Sequence, residues 1–338
     1  MSEKKIDVIA LGSCTMDLIF DVDDIMRMDL IDRNNEEKKY ICVENSSKLN
    51  VKSVRFYPGG SAANIACDLA NIGLKTAYIG GIGKDANGEA SMDDMEKHNV
   101  DTSGIKIFEK DATATSVILV NSFYKDRSIL AYKGANDLFG KEHIQQDMFT
   151  HAKCFAWTSL TSDSAIGAIR ECINLGKQNQ MLVAAAPSIS IIKKRKEEAQ
   201  NLVKNSTIIS LNDEELEELT GERDVSDGMQ ILIDWGMEVV NVTMGKEGQW
   251  ITNGKKLVKT APPTIHVKDT TGAGDATMSG LIYGKIRDLS LEQTAKICAS
   301  MSAMEIEATG VRVGLPKKFA ELEEFIAKHD FKQSTEEF

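Results

Sequence analysis

The sequence predicts an α/β protein whose central sheet is mostly parallel and covered by helices. Three observations carry that prediction. From residue 154 to residue 211, short apolar runs alternate with helical stretches, the pattern of consecutive strand–helix–strand units. The first apolar run, residues 6–11, closes at Gly12, as a buried strand does where it opens onto a polar loop. Residues 21–52 then break the pattern with a charged stretch containing Asn34, Asn35 and an acidic–basic cluster, which reads as an insertion outside the main core.

Composition narrows the class. A chain of 338 residues can bury a large core. Its formal charge of −11, with lysines and arginines scattered, argues against a nucleic-acid partner gripped by its backbone. Cys14, Cys42, Cys67, Cys154, Cys172 and Cys298 form no CxxC pair, so free thiols in a reducing compartment are expected. The N-terminus lacks the apolar core of a secretory signal, and no run is long enough to span a membrane. A soluble cytoplasmic protein is the expectation.

Taken in order, Asp17 follows the first strand in a loop. Its neighbours Met16, Leu18 and Ile19 are apolar, an awkward setting for a solvated surface acid. Gly59-Gly60-Ser61-Ala62-Ala63-Asn64 opens a helix whose Ile65, Leu69 and Ile72 recur at helical spacing, with Gly73 as its stop. Asn64 is either a local backbone hydrogen bonder or a group facing a ligand that the paired glycines admit. Gly80-Gly81-Ile82-Gly83 is an incomplete dinucleotide fingerprint and is discounted. Residues 116–120 and 129–132 read as a hairpin across the polar turn 121–128. Strands at 154–157, 182–186 and 207–211 alternate with helices near 163–178 and 193–204. Ligands of such sheets bind beyond the carboxyl ends of the strands.

Three stretches bear chemistry. Asn212-Asp213-Glu214-Glu215 is either a capping box or a pair, Asn212 and Glu215, that organises magnesium-bound water near phosphates. After a strand at 239–243, Thr243-x-Gly245-x-x-Gly248 is either a glycine turn before the strand 249–252 or an open loop that passes a nucleotide phosphate. Residues 267–280, VKDTTGAGDATMSG, read as a strand-to-helix transition. Gly272, Ala273 and Gly274 let backbone N–H groups converge on an anion at a helix start, and Asp275 beside them suits an acceptor of a hydroxyl proton. The bland alternative is an acid and glycines at an ordinary helix start. A helix over 291–307, a loop over 309–314, a helix over 316–328 and a frayed polar tail over 333–338 complete the reading.

GGSAANIA, NDEE, TMGKEG and DTTGAGD, in this order and spacing, resemble the ribokinase-like, or PfkB, family of carbohydrate and nucleoside kinases across nearly the whole chain. No GxxxxGK[ST] motif is present, which excludes a P-loop kinase. The resemblance implies a three-layer sandwich spanning residues 1–330, with a central, mostly parallel sheet between helices. It also implies a small β lid supplied by about 21–56 and 112–133; in many members the lid also forms a homodimer. It makes Asp275 the base and Gly272, Ala273 and Gly274 the anion hole. Asp17, Gly59, Gly60 and Asn64 fall to the acceptor, and Asn212, Glu215, Thr243, Gly245 and Gly248 to ATP and its Mg²⁺, Glu215 indirectly. In members that use K⁺, Asp269 and the Thr271 carbonyl match the ligand positions, with the loop over 310–314 completing the site. An acid at a positive helix end is expected to ionise at low pH. The implied reaction is transfer of the γ-phosphoryl group to a hydroxyl of a small sugar. A nucleoside kinase and a non-catalytic binding member are the alternatives.

Overall fold

The computed structural model describes residues 6–22, 25–31, 37–121 and 126–338. Strand β1 (Val8–Leu11) has four apolar, fully buried side chains, and it lies inside a ten-stranded sheet. From it the chain enters a smaller sheet through β2 (Thr15–Val22), forms a two-stranded ribbon, β3 (Met26–Ile31) and β4 (Glu37–Cys42), and returns along β5 (Val51–Gly59). Helix α1 (Ser61–Asn71), β6 (Thr76–Gly83), α2 (Ala86–Lys97) and β7 (Asp101–Phe108) build the large sheet outward on one side of β1. The hairpin β8 (Thr115–Asn121) and β9 (Asp126–Tyr132) completes the small sheet in the order β5-β2-β8-β9.

On the other side of β1 lie β10 (Cys154–Thr158), α3 (Asp163–Gln178), β11 (Leu182–Ala186), α4 (Ile189–Lys194), α5 (Lys196–Lys204) and β12 (Ile208–Asn212). Helices α6 (Asp213–Thr220) and α7 (Val225–Asp234) lead to β13 (Val239–Thr243) and the antiparallel β14 (Gln249–Thr252) and β15 (Lys256–Thr260). Helices α8 (Ala273–Ile286), α9 (Leu291–Ile306) and α10 (Phe319–Lys328) precede the last strand, β16 (Gln333–Glu337).

The central parallel strands of the large sheet, β1 and β10 to β13, are buried on both faces and so are mostly apolar rather than alternating. Ile9 and Leu11 pack with α3, α5, α6 and α7 residues such as Ile169, Leu202, Leu216 and Met229. Val8 packs on the opposite face with Ile65 and Leu69 of α1, Leu281 of α8 and Met301 of α9. This is the three-layer architecture that the motif order implied. β1 pairs in parallel with β10 on one side and β6 on the other, so the winding reverses there and a crevice opens beyond the strand ends. All six cysteines are free, and no described helix is long and apolar enough to cross a membrane.

The structure corrects several expectations. The tail over 333–338 is not frayed: residues 333–337 pair antiparallel with β15, from Thr260↔Gln333 to Lys256↔Glu337. An edge strand is held by backbone hydrogen bonds and turns polar side chains to water, so hydropathy does not reveal it. Asp17 is in strand β2, not a loop, and its apolar neighbours Met16, Ile19 and Val22 are buried. Residues 261–270 form no strand ahead of α8, and the helix expected over 193–204 is two helices divided at Arg195. The segments 21–56 and 112–133 do carry β3, β4, most of β5, β8 and β9, whereas β2 begins earlier, at Thr15. The tip of the β8–β9 turn and residues 32–36 lie outside the described residues.

Candidate active site

A cleft of about 540 Å³ opens at the carboxyl ends of the parallel strands. Ser13, Ser159, Ser188 and Glu215, which follow β1, β10, β11 and β12, form its floor. The start of α8 adds Thr271, Gly272, Gly274 and Asp275, while Asp17 of β2 and Ser116 of β8 enter from the small sheet.

Gly272 caps α8 with φ at 85°, and a Cβ there would lie 2.6 Å from Glu305 Oε1, so only glycine fits. The first i→i−4 bond of the helix runs from Ala276 N to Gly272 O at 2.9 Å. The N–H groups of Gly274 and Asp275 therefore stand ahead of the ladder, at the positive end of the helix dipole, while Ala273 N lies 3.4 Å from Thr270 O. At Gly274 a Cβ would meet no atom within 4 Å. The cradle is open on the cleft side.

Asp275 Oδ2 accepts a hydrogen bond from Asn64 Nδ2 at 2.7 Å. Burial raises its pKa above the ordinary carboxylate value, against the lowering effect of bonds from Asn64 and Ser61 and of the Arg312 charge. The direction is opposite to the low pKa expected from the helix end, because burial penalises the charged form. Burial likewise pushes Asp17 up to about 6, opposed by a hydrogen bond from Ser116. A methyl on Gly59 would lie 2.6 Å from Asp17 Oδ2, which explains that glycine.

Behind Asn64 lies a cation that pattern reading passed over. Arg312 is 8% exposed, and its Nε donates to Asn64 Oδ1 at 2.8 Å. Its Nη1 donates to Asp94 Oδ2 at 2.5 Å and its Nη2 to Gly59 O at 3.2 Å. With Arg312 at one end of the amide and Asp275 at the other, the orientation of Asn64 is fixed. The Arg312 backbone N–H donates to Glu305 Oε1 at 2.9 Å. Glu305 is driven up to about 7 by burial and by the nearby charges of Asp275 and Asp269. Asp68, one turn beyond Asn64, is raised by burial and by Glu305, and its Oδ2 accepts from Ser279 Oγ at 3.1 Å.

The pfkB family of carbohydrate kinases matches residues 5–318. The chain belongs to that family. As a pfkB carbohydrate kinase it is a phosphotransferase with an alcohol group as acceptor. An uncharacterised sugar kinase from Archaeoglobus fulgidus is 30% identical over 249 residues, covering 74% of this chain and 98% of that protein. Among solved structures, a ribokinase II candidate from E. coli in complex with ATP and Mg²⁺ superposes with a TM-score of 0.82 at 17% identity, covering 96% of this chain and all of that one. The adenosine kinase from Sinorhizobium meliloti gives 0.80 at 24% identity, covering 95% and 99%.

In this pfkB kinase the cleft brings together Asp17, Gly60, Asn64, Glu215, Thr271, Gly272, Gly274 and Asp275. Gly59 and Ala273 adjoin it in the chain. Asn212 and Thr243 are register partners at the ends of β12 and β13, outside the cleft wall. Asn212 and Glu215 form the capping box: Glu215 N donates to Asn212 Oδ1 at 2.8 Å and Asn212 N to Glu215 Oε2 at 3.0 Å. Gly245 and Gly248 turn the chain between β13 and β14, as Met244 N bonds Gly248 O at 2.8 Å. Asp269 Oδ1 accepts from Thr271 N and Oγ1 at 3.0 and 2.7 Å, and its Oδ2 from Gly310 N at 3.3 Å, so this acid clasps two loops. The missed residues Asp68, Glu305 and Arg312 carried one signal: a charged side chain within an otherwise apolar run.

Proposed function

We propose that this kinase transfers the γ-phosphoryl group of ATP to a hydroxyl of a small sugar, with Asp275 as the base. The observation that carries the reading is Asp275, fixed by Asn64, beside a helix start whose Gly274 leaves an open anion cradle. The acceptor oxygen forms its bond to the γ-phosphorus as the bridging oxygen leaves with ADP, and the hydroxyl proton passes to Asp275. A base with a raised pKa suits that proton better than an ordinary carboxylate. In a loose phosphoryl transfer, orientation and charge neutralisation carry most of the rate. The Gly272–Gly274 backbone is the anion hole of this reading and meets the negative charge on the transferred group, with Ala273 N also 3.4 Å from Thr270 O.

Asp17, Gly60 and Asn64 hold the acceptor hydroxyls. Asn212, Thr243, Gly245 and Gly248 flank the nucleotide. Magnesium would supply positive charge that neutralises the phosphate oxygens. Glu215 suits it through water rather than directly, since its Oε1 and Oε2 already accept from Ile189 N and Asn212 N. Asp269 and the Thr271 carbonyl are the K⁺ ligands of this reading, tested by exchanging potassium for a tetraalkylammonium salt. A sugar is preferred to a nucleoside because Tyr132 is the one aromatic among the described cleft residues.

The ribbon exposes Met26 (65%), Met28 (45%) and Leu30 (47%) at alternate positions of β3, an apolar face on which a second copy would pair. Analytical ultracentrifugation tests the dimer. ADP production from ATP with a panel of sugars and nucleosides tests the activity, for the native chain and Asp275→Asn. Absence of turnover with every acceptor would support the non-catalytic alternative. Near-native turnover by Asp275→Asn would remove the base from Asp275.

A further inference from the structure

Outside the cleft, Cys67, Asp94 and His98 each offer a ligand atom, and these atoms lie within 4.8 Å of one another. They come from two neighbouring helices. Cys67 is on α1, whereas Asp94 on α2 and His98 at its C-cap are four residues apart and so share a face. His98 Nδ1 lies 2.8 Å from Asn71 Oδ1, one turn beyond Cys67. A neutral ring that donates Nδ1–H there keeps Nε2 as a lone-pair donor, the arrangement by which outer partners orient a metal-binding imidazole. Asp94 gives Oδ2 to Arg312 at 2.5 Å, so a cation that takes this carboxylate draws it from the arginine. Cys67 is fully buried and Asp94 and His98 are half-buried, so the thiol lies at the bottom of a site that opens to water.

We infer that Cys67, Asp94 and His98 form an inhibitory site for a zinc-class divalent cation, bound by one sulfur, one carboxylate oxygen and one imidazole nitrogen. The donor set selects the cation: thiolate and imidazole suit a borderline-soft ion and do not suit magnesium. On binding, the sulfur–metal bond replaces the S–H bond and the thiol proton leaves to solvent. The inhibition arises because the cation and Arg312 compete for one carboxylate. As Asp94 turns to the metal, Arg312 loses its counter-charge and its hold on Asn64, and hence on Asp275, slackens. The inhibitory step rests on the proposed roles of Asn64 and Asp275. Binding of the ion does not.

Binding is therefore measured without ATP or acceptor, on the full chain stripped with EDTA. Zn²⁺ is titrated against a chromophoric chelator, and Co²⁺ is followed by its thiolate charge-transfer absorption. The native chain is expected to take one equivalent and show the cobalt–thiolate band. Cys67→Ser/His98→Gln is expected to lose the band and bind zinc at least ~100-fold more weakly. His98→Gln alone, a change at a helix end, gives the same direction if the double variant misfolds. Equal zinc affinity in native and variant chains, or cobalt binding without the band, overturns the site. With Mg²⁺–ATP in excess, zinc is expected to slow native turnover and spare the variants. Equal slowing in both, or none in either, overturns the inhibition.

Discussion

Replacing Arg312 with Met removes three hydrogen bonds at once, to Asn64 Oδ1, Asp94 Oδ2 and Gly59 O. Methionine fills much of the volume, so the loss is polar rather than a cavity. Asn64 and Gly59 are buried, and each abandoned acceptor costs about 1–3 kcal/mol. The Asp94 side chain is 27% exposed, so water recovers part of what its broken ion pair loses. Against these stands the cost of burying a guanidinium, which methionine avoids. The expected net loss is about 3–5 kcal/mol, measured by urea unfolding at fixed m. Free to rotate, Asn64 no longer presents its Nδ2 to Asp275, and kcat is expected to fall ~10–100-fold with KM for ATP little changed. Arg312→Lys keeps the charge but not the fork, and is expected to recover stability more than kcat. A loss below ~1 kcal/mol with native kcat would refute the claim that Arg312 holds Asn64.

Glu305→Gln tests the buried acid beneath Gly272. Its carboxyl is raised from 4.5 to about 7, so the stability it contributes is present below its unfolded value and is lost as pH rises through about 7. Glutamine keeps an acceptor for Arg312 N without the charge. The variant is expected to be more stable than the native chain at pH 8, by up to about 3 kcal/mol, and no more stable at pH 4.5, as urea midpoints at the two pH values would show. Gly274→Ala adds a methyl that meets no protein atom within 4 Å, so thermal stability is expected to hold while KM for ATP rises at least ~10-fold through intrusion on the cradle. With Asp275 as the proposed base, its raised pKa is expected to set an acid limb in kcat, activity falling as pH drops through a value above the ordinary aspartate range. A limb at or below that ordinary range would contradict the half-buried setting of Asp275.

The layered fold was legible because a two-sided parallel sheet writes itself as apolar runs spaced by helices, and β11, β13 and β14 begin and end where those runs do. DTTGAGD and GGSAAN were legible because glycines mark backbone that side chains would obstruct. Strands held mainly by backbone pairing were less so: β16 is polar, and β2 took its strand form from β5 and β8 on either side. Asp68, Glu305 and Arg312 come together from α1, α9 and the loop after it, and hydropathy registers each only as an interruption. Their meaning lies in contacts across 248 positions of sequence, such as Arg312 with Asn64.

The chain enters the small sheet at Thr15 and leaves it at Gly59, and these two residues are register partners. Asp17 stands two positions inside that junction, opposite Tyr57, while Gly59 O is gripped by Arg312. In the proposed reading, a swing of the small sheet would pivot on the residues that also hold the acceptor. Grip and gating would then share one mechanical element, and selection for a new acceptor would reset the speed of opening and shutting along with the fit.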